Sequence, residues 1–260
     1  MKKIQKLLAF TLAETLIVMG IIGVVAALTI PNLNSSTADK EKVAKLKKVY
    51  SNLQDAIGRT EAVYGNMSEW QWSNIGTTTD AQLIAERMGD FLKVSKTCGF
   101  AVNSGCLPKT GKDLNGTNWS GKNSKGLDNT NEGYKYVLAD GTGLSISAAS
   151  GAIFFVVDID GPIKGASTLG KDLFEFYVIS PSSWYLGDQI KNTYGWQLIS
   201  DNPFNTNSLL TGKTDLSANF KTGDGLATWV LQTDNMDYLK ATNGTCKNGK
   251  VLSWTNTSCK

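Results

Sequence analysis

Residues 10–33 read FTLAETLIVMGIIGVVAALTIPNL, and the rest of the chain is interpreted outward from this stretch. Its one ionisable side chain is that of Glu14. A helix needs about 20 predominantly apolar residues to cross the hydrocarbon core of a bilayer. The stretch is long enough, so the sequence predicts a membrane-spanning helix at residues 10–33.

The residues before this stretch are basic. Residues 1–9 contain Lys2, Lys3 and Lys6 and no acidic residue, and such positive charge holds an N-terminus on the cytoplasmic side of a membrane. A general secretory signal has a short apolar core followed by a small-residue cleavage site. Here the small residue, Ala9, precedes the apolar run. This order predicts a short cleaved leader, residues 1–9, and a helix that stays in the mature protein.

Glu14 is the most informative residue of the apolar run. A carboxylate within an apolar span is costly unless it finds a partner, so it is a candidate functional group. Cleavage between Ala9 and Phe10 would create a new α-amino group close to Glu14 in sequence. The ammonium and the carboxylate could then neutralise each other within one subunit or between neighbours. The alternative is a signal anchor in which the acid is incidental.

The basic leader, the small residue, the Phe10-Thr-Leu-x-Glu14 pattern and the apolar run together resemble the N-terminal signal of type IV prepilins and type II secretion pseudopilins. The resemblance implies that a prepilin peptidase cuts between Ala9 and Phe10 and that Phe10 is then N-methylated. It also makes Glu14 the assembly glutamate and Pro31 a helix-kinking proline. Ala9 departs from the family, which usually has Gly at this position.

The resemblance further implies a structural subunit of a type IV pilus or related filament, assembled through its N-terminal helix, and not an enzyme. The implied partners are the prepilin peptidase and methyltransferase, other pilin subunits and an inner-membrane assembly platform. The implied location is the bacterial inner membrane, single-pass with the globular domain outside the cytoplasm, and after assembly a pilus or pseudopilus at the cell surface or in the periplasm. A type II secretion pseudopilin, and a minor pilin acting as tip adhesin or uptake module, remain alternatives.

Residues 34–64 predict an amphipathic continuation of the helix, because apolar side chains recur at steps of three, four and seven. These side chains are Val43, Leu46, Tyr50, Leu53, Ile57 and Tyr64. The predicted organisation is a leader at 1–9, a transmembrane or filament-core helix at 10–33, its amphipathic continuation at 34–64 and a globular pilin-like domain at 65–260.

In the globular part, runs of β-branched and aromatic residues predict four neighbouring strands. They are residues 134–139, 143–148, 152–159 and 173–180. Residues 194–199 are a candidate further strand, and residues 80–92 and 226–232 predict short helices. The expected fold class is α+β and pilin-like, with a long N-terminal helix packed on an antiparallel sheet of about four strands, loop-rich and stapled by disulfides.

Four cysteines, Cys98, Cys106, Cys246 and Cys259, occur without a Cys-x-x-Cys motif. In a chain with an export signal, an even number of cysteines favours disulfides over zinc. Three pairings are possible. Closing short loops costs the least entropy, which favours Cys98–Cys106 and Cys246–Cys259.

The charge and the absent residue types argue against several function classes. The chain has no histidine, which removes the commonest general base and metal ligand. The formal net charge is +3, and loss of the three leader lysines would bring it to zero. A neutral mature chain does not favour a nucleic-acid partner.

Asp158 and Asp160, followed by Gly161, resemble the start of a calcium-binding loop, and some pseudopilins bind calcium in a loop near their C-terminal side. Asp172 is a further candidate ligand. The further acids and the closing Glu of an EF-hand loop are absent. The alternative is an ordinary turn-rich connection between two strands, so calcium stays a hypothesis and no other cofactor is expected.

Overall fold

The computed structural model describes residues 12–70, 77–119, 127–149, 151–162, 167–183, 192–193, 195–200 and 216–260, with backbone alone at residues 26 and 28–36. The chain divides into two compact units, Met1–Glu41 and Lys42–Lys260. The predicted leader and the cleavage position between Ala9 and Phe10 lie outside the described residues.

The first helix, α1, spans Leu12–Tyr64. Within the second unit its apolar side chains join the main hydrophobic core; they are Val43, Leu46, Val49, Leu53, Ala56 and Ile57. Tyr50 is half-buried, and its ring lies 5.6 Å from that of Phe176. Tyr64 does not continue this buried face, since it is exposed and its hydroxyl donates to the Asp90 carboxylate at 3.1 Å.

Further along the described residues lie the shorter α-helices α2 at Thr78–Gly89, α3 at Ser217–Thr222 and α4 at Leu226–Thr233. The Thr77 hydroxyl caps α2 by accepting the backbone N–H of Asp80 at 3.2 Å, which satisfies one of the free amides of the first turn. Two 3₁₀ turns lie at Met67–Glu69 and Asp237–Lys240.

The main sheet has six antiparallel strands in the spatial order β1-β3-β4-β5-β7-β8. Its strands are β1 (Val94–Gly99), β3 (Tyr134–Leu138), β4 (Gly143–Ala149), β5 (Ala152–Asp158), β7 (Leu173–Ile179) and β8 (Leu198–Ile199). Two small ladders complete the described β structure. One pairs β2 (Gly111–Lys112) in parallel with β6 (Ser167–Thr168), and the other pairs β9 (Ala241–Thr242) with β10 (Thr245–Cys246).

The two central strands β5 and β7 are buried at every position. Phe155 and Phe176 lie in the core that includes α1 and α2, whereas Phe154 and Tyr177 belong to a separate cluster on the opposite face. Successive side chains of a strand point to opposite faces. Burial of both faces therefore explains why these two strands are apolar throughout instead of alternating with polar residues.

The predicted pilin-like fold class is wrong. The sheet has six strands rather than about four, and α1 exposes its apolar side chains at residues 12–25. The β1 strand was missed because Ser95, Lys96 and Thr97 are polar and exposed, as suits a strand at the edge of a sheet. Such a strand lacks the apolar alternation from which strands are recognised.

The predicted single-pass location in the inner membrane, leading to a surface or periplasmic pilus, is also corrected. A spanning helix needs about 20 predominantly apolar residues. Among the residues that the structure describes, no helix offers a segment that meets this requirement.

Two disulfides join Cys98 to Cys106 and Cys246 to Cys259, with Cα–Cα distances of 6.3 and 5.5 Å. This is the pairing that short loop closure favoured. The first bond ties the edge strand β1 to the loop that follows it. The second ties β10 to the C-terminal residues.

Two backbones approach closely where α3 ends. Gly223 terminates the helix with a φ of 93°, and a Cβ on it would lie 2.1 Å from the carbonyl oxygen of Leu169. A Cβ on Gly170 would in turn lie 2.9 Å from the Cα of Gly223. The hydroxyl of Tyr238 donates to the carbonyl of Gly170 at 2.6 Å. Glycine at both positions therefore lets the C-terminal helices pack against the turn between β6 and β7.

Candidate functional site

The strongest candidate site is the exposed apolar surface of α1 at residues 12–25, called here the apolar segment. Nine large apolar side chains on it are each 53 to 79% exposed: Leu12, Leu16, Ile17, Val18, Met19, Ile21, Ile22, Val24 and Val25. Residues 16–19 are consecutive, so the apolar side chains surround the helix rather than forming one stripe. A helix that is apolar on all sides is characteristic of a buried environment.

Glu14 lies at the start of this segment and is exposed, like its neighbours. It lies in α1, two residues after the first residue that the structure describes. Phe10, its predicted partner, lies outside the described residues. The helix continues through position 31, although the side chain of Pro31 is not described. The roles assigned to Ala9, Phe10, Glu14 and Pro31 stay predictions.

The connection between β5 and β7 holds the predicted calcium ligands. Asp158 is fully buried. Its Oδ2 accepts the Ser167 hydroxyl at 3.1 Å, and its Oδ1 accepts the backbone N–H of Asp160 at 3.3 Å. Asp172 accepts the backbone N–H of Thr168. The carboxylates of this connection thus organise the turn itself.

Two lysines of α1 supply the positive charge beside these carboxylates. Lys42 lies 3.3 Å from Asp160 and 3.8 Å from Asp172, and Lys45 lies 3.7 Å from Asp160. Over the described ranges, no group of three or more His, Cys, Asp or Glu residues is arranged to hold a metal ion. The calcium hypothesis for Asp158 and Asp160 therefore gains no support from the geometry, and the connection fits the alternative of a structural turn.

Burial raises the pKa of Asp158 to about 6, and the nearby charges of Asp172 and Asp160 act in the same direction. The hydrogen bonds from Ser167 and from the Asp160 amide oppose this shift without cancelling it. Burial also raises the pKa of Asp172, partly offset by its bond from Thr168 and the charge of Lys42.

The burial of Asp158 predicts that the free energy of unfolding depends on pH, and a single substitution isolates this dependence. Unfolded aspartate has a pKa of about 3.9, so between pH ~4 and ~6 the folded state retains a proton at Asp158 that the unfolded state loses. The stabilisation of the folded state by protonated Asp158 is complete below pH ~4 and is lost as the pH rises through ~6. We therefore expect Asp158→Asn to raise the free energy of unfolding at pH 7 by about 2 kcal/mol relative to wild type.

Urea unfolding of both proteins between pH 4 and pH 7 measures this difference, which should shrink towards zero at the acidic end. Asp140→Asn serves as the control, because it removes a carboxylate paired with Lys48 and should bring no gain at pH 7. A difference between Asp158→Asn and wild type that stays constant with pH would contradict the assignment.

Two further charged residues, Lys135 and Asp128, are buried, and no motif in the sequence marks them. Lys135 is fully buried in β3, and its ammonium donates to the carbonyls of Ala101 at 3.1 Å and Thr130 at 2.6 Å. Burial lowers the pKa of Lys135, whereas the charge of Asp128 opposes that shift. Asp128 accepts the Ser104 hydroxyl at 2.5 Å and the Gly105 amide at 2.8 Å. This pair holds together the loops around the Cys98–Cys106 bond.

Comparison with known proteins adds no relative to this description. No protein-family model matches the chain, and searches of curated proteins and of solved structures also found no match. Functional interpretation therefore depends on the residues themselves and on their placement.

Proposed function

We propose that this chain is a structural subunit of a type IV pilus or a related filament, and that it assembles through the apolar segment of α1. The observation that carries the proposal is the exposure of nine large apolar side chains around one helical segment. Contiguous apolar surfaces of this kind mark interaction sites.

The energetic reason is the hydrophobic effect. Full burial of one large aliphatic side chain contributes about 1.5–3 kcal/mol. The nine side chains together offer enough apolar surface to offset the loss of translational and rotational freedom on association, which is about 4–15 kcal/mol. Bundling of identical helices encloses such a segment on all sides, as its distribution around the helix requires.

The resemblance of residues 1–31 to prepilin signals supplies the order of events. A prepilin peptidase and methyltransferase would remove residues 1–9 and methylate Phe10. The new α-amino group of Phe10 would then pair with Glu14 of a neighbouring subunit and fix the register of the bundled helices. The globular unit would form the outer surface of the filament, with its two disulfides restricting its loops.

Mass spectrometry of filaments recovered from producing cells tests this proposal directly. We expect the assembled subunit to begin with N-methylated Phe10. A high abundance of this peptide would indicate a major subunit, and a trace amount a minor one. Assembled protein that retains residues 1–9 would contradict the proposed processing, and filaments that lack the chain altogether would contradict its role as a subunit.

Glu14→Ala is expected to lower filament yield by roughly tenfold or more, since a charge-assisted hydrogen bond contributes about 1.5–3 kcal/mol. Yield is measured by sedimentation and negative-stain microscopy, with the cellular amount of the subunit determined in parallel. Glu41→Ala is the matched control, because it removes another exposed glutamate of the same helix. Equal yields from the two variants would count against a role for Glu14 in register.

A further inference from the structure

A polar cleft of about 600 Å³ lies within the unit Lys42–Lys260. The β2 strand with the loop after it, the β6 turn and the β9 region form its sides. The lining residues used below are Lys112, Asp113, Asn115, Lys171, Thr242 and Asn243.

The walls of the cleft are tied together by backbone hydrogen bonds. The parallel ladder between β2 and β6 sets Lys112 opposite Thr168, and the amide of Leu169 donates to the carbonyl of Lys112 at 2.7 Å. The loop after β2 is joined to the end of α3, because the amides of Leu114 and Asn115 donate to carbonyls there at 3.0 Å. A cleft with sides joined in this way is organised before any ligand binds.

The opposite rim is a tight hairpin. Thr242 pairs with Thr245, and the two residues between them, Asn243 and Gly244, have φ values of 50° and 84°. Positive φ at both central positions is the geometry of a type I′ turn, for which Asn-Gly is the preferred sequence. The turn places Thr242 and Asn243 in exposed positions at the mouth of the cleft.

The charged groups of the cleft are incompletely paired. Lys112 and Lys171 are exposed, and neither ammonium makes a hydrogen bond or ion pair with any residue in the described part of the chain. The Oδ2 of Asp113 accepts the Thr117 hydroxyl at 3.0 Å, while its Oδ1 has no hydrogen-bond partner among the described residues. Burial raises the pKa of Asp113. The lining residues include two lysines and one aspartate, an excess of one positive charge, and Lys171 also interacts with the charge of Asp172, the next residue in the chain.

The aromatic residues beside the cleft argue against a ligand that contains a nucleobase. Phe220 and Tyr238 are buried and stack on each other with ring centroids 5.9 Å apart. They present no open face on which a nucleobase could stack. The carboxylate of Asp113 would repel a polyphosphate, with its several negative charges, more strongly than a ligand with a single negative charge. A carboxylate and side-chain amides are also suitable acceptors and donors for hydroxyl groups.

We propose that the polar cleft binds an oligosaccharide that contains a sugar acid. Lys112 and Lys171 hold the carboxylate of the sugar, and Asp113, Asn115 and Asn243 bind its hydroxyl groups. One negative charge on the bound sugar residue matches the single excess positive charge of the cleft. This assignment does not depend on filament assembly, since every residue involved lies in the globular unit.

Isothermal titration calorimetry of the full purified chain tests the proposal. The probes are short uronic-acid oligosaccharides from pectate, alginate and hyaluronan, a neutral maltooligosaccharide of similar length and a sulfated oligosaccharide. We expect at least one uronic-acid probe to bind, more tightly than the sulfated probe and with an affinity that falls as salt is added. The neutral probe should not bind.

Lys112→Ala and Lys171→Ala should each raise the Kd of the preferred uronic-acid probe about tenfold, the loss expected for one charge-assisted hydrogen bond. Lys247→Ala is the matched control, because it removes an exposed lysine outside the cleft. Thermal unfolding of each variant confirms that the fold is retained. The proposal is overturned if no uronic-acid probe binds, if the neutral or sulfated probe binds as well, or if the cleft variants match the control.

Discussion

Replacing Gly223 with alanine is expected to lower the free energy of unfolding by about 3–4 kcal/mol. Gly223 has a φ of 93°, and an added Cβ would lie 2.1 Å from the carbonyl oxygen of Leu169. The variant therefore carries two costs. A residue other than glycine is strained at this φ, and the backbone of the turn at Leu169 must also move away from the end of α3.

Gly141→Ala separates these two costs. Gly141 has a φ of 87°, close to that of Gly223, but an added Cβ there would meet no atom within 4 Å. It should therefore show the backbone strain alone, about 1 kcal/mol. Urea unfolding of both variants beside wild type measures the difference. Equal losses at the two positions would show that the close approach between α3 and the β6–β7 turn does not restrict position 223.

The double variant Ile17→Asp/Ile21→Asp is expected to abolish filament assembly, reducing the yield at least a hundredfold. Both side chains belong to the apolar segment, with exposures of 63% and 60%. In a bundle of identical helices each subunit would bury two additional carboxylates without partners. Leaving even one buried charge unpaired costs about 3–5 kcal/mol. A hundredfold loss of assembly corresponds to about 2.7 kcal/mol of binding free energy, so two unpaired carboxylates are more than enough to cause it.

The stability of the globular unit should not change in this variant, because neither isoleucine belongs to a buried cluster. Val251→Asp is the control for the effect of an added surface charge, since Val251 is 62% exposed but lies near the C-terminus. Sedimentation, microscopy and thermal unfolding are measured for both variants. Normal assembly of the double variant would contradict the proposed role of the apolar segment, and so would an equal defect in Val251→Asp.

Local sequence patterns located the central strands well. The four expected strands are present as β3, β4, β5 and β7, with each end within one residue of its expected position. Their β-branched and aromatic runs are long and are separated by turn residues, so the pattern is locally unambiguous. The edge strands were harder to predict from the sequence. The β1 strand is polar, and β8 has two residues of the six that were expected to form a strand.

The two candidate sites differ in how much of them the sequence reveals. Glu14 and the apolar run attract attention at once, because an acid in an apolar stretch is unusual in any fold. The polar cleft has no such signature. Lys112 and Lys171 are separated by 59 positions, and they line one cleft only because β2 pairs with β6 and because the loop after β2 is joined to the end of α3.

By itself, the sequence determined the local features: the apolar run, the central strands and the even set of cysteines. Each depends on residues close together in the chain, where periodicity and turn chemistry act directly. Only the tertiary structure decided that the sheet has six strands, that Lys42 and Lys45 pair with Asp160, and that a polar cleft exists. These features depend on contacts between distant segments, and such contacts form only when the whole core packs.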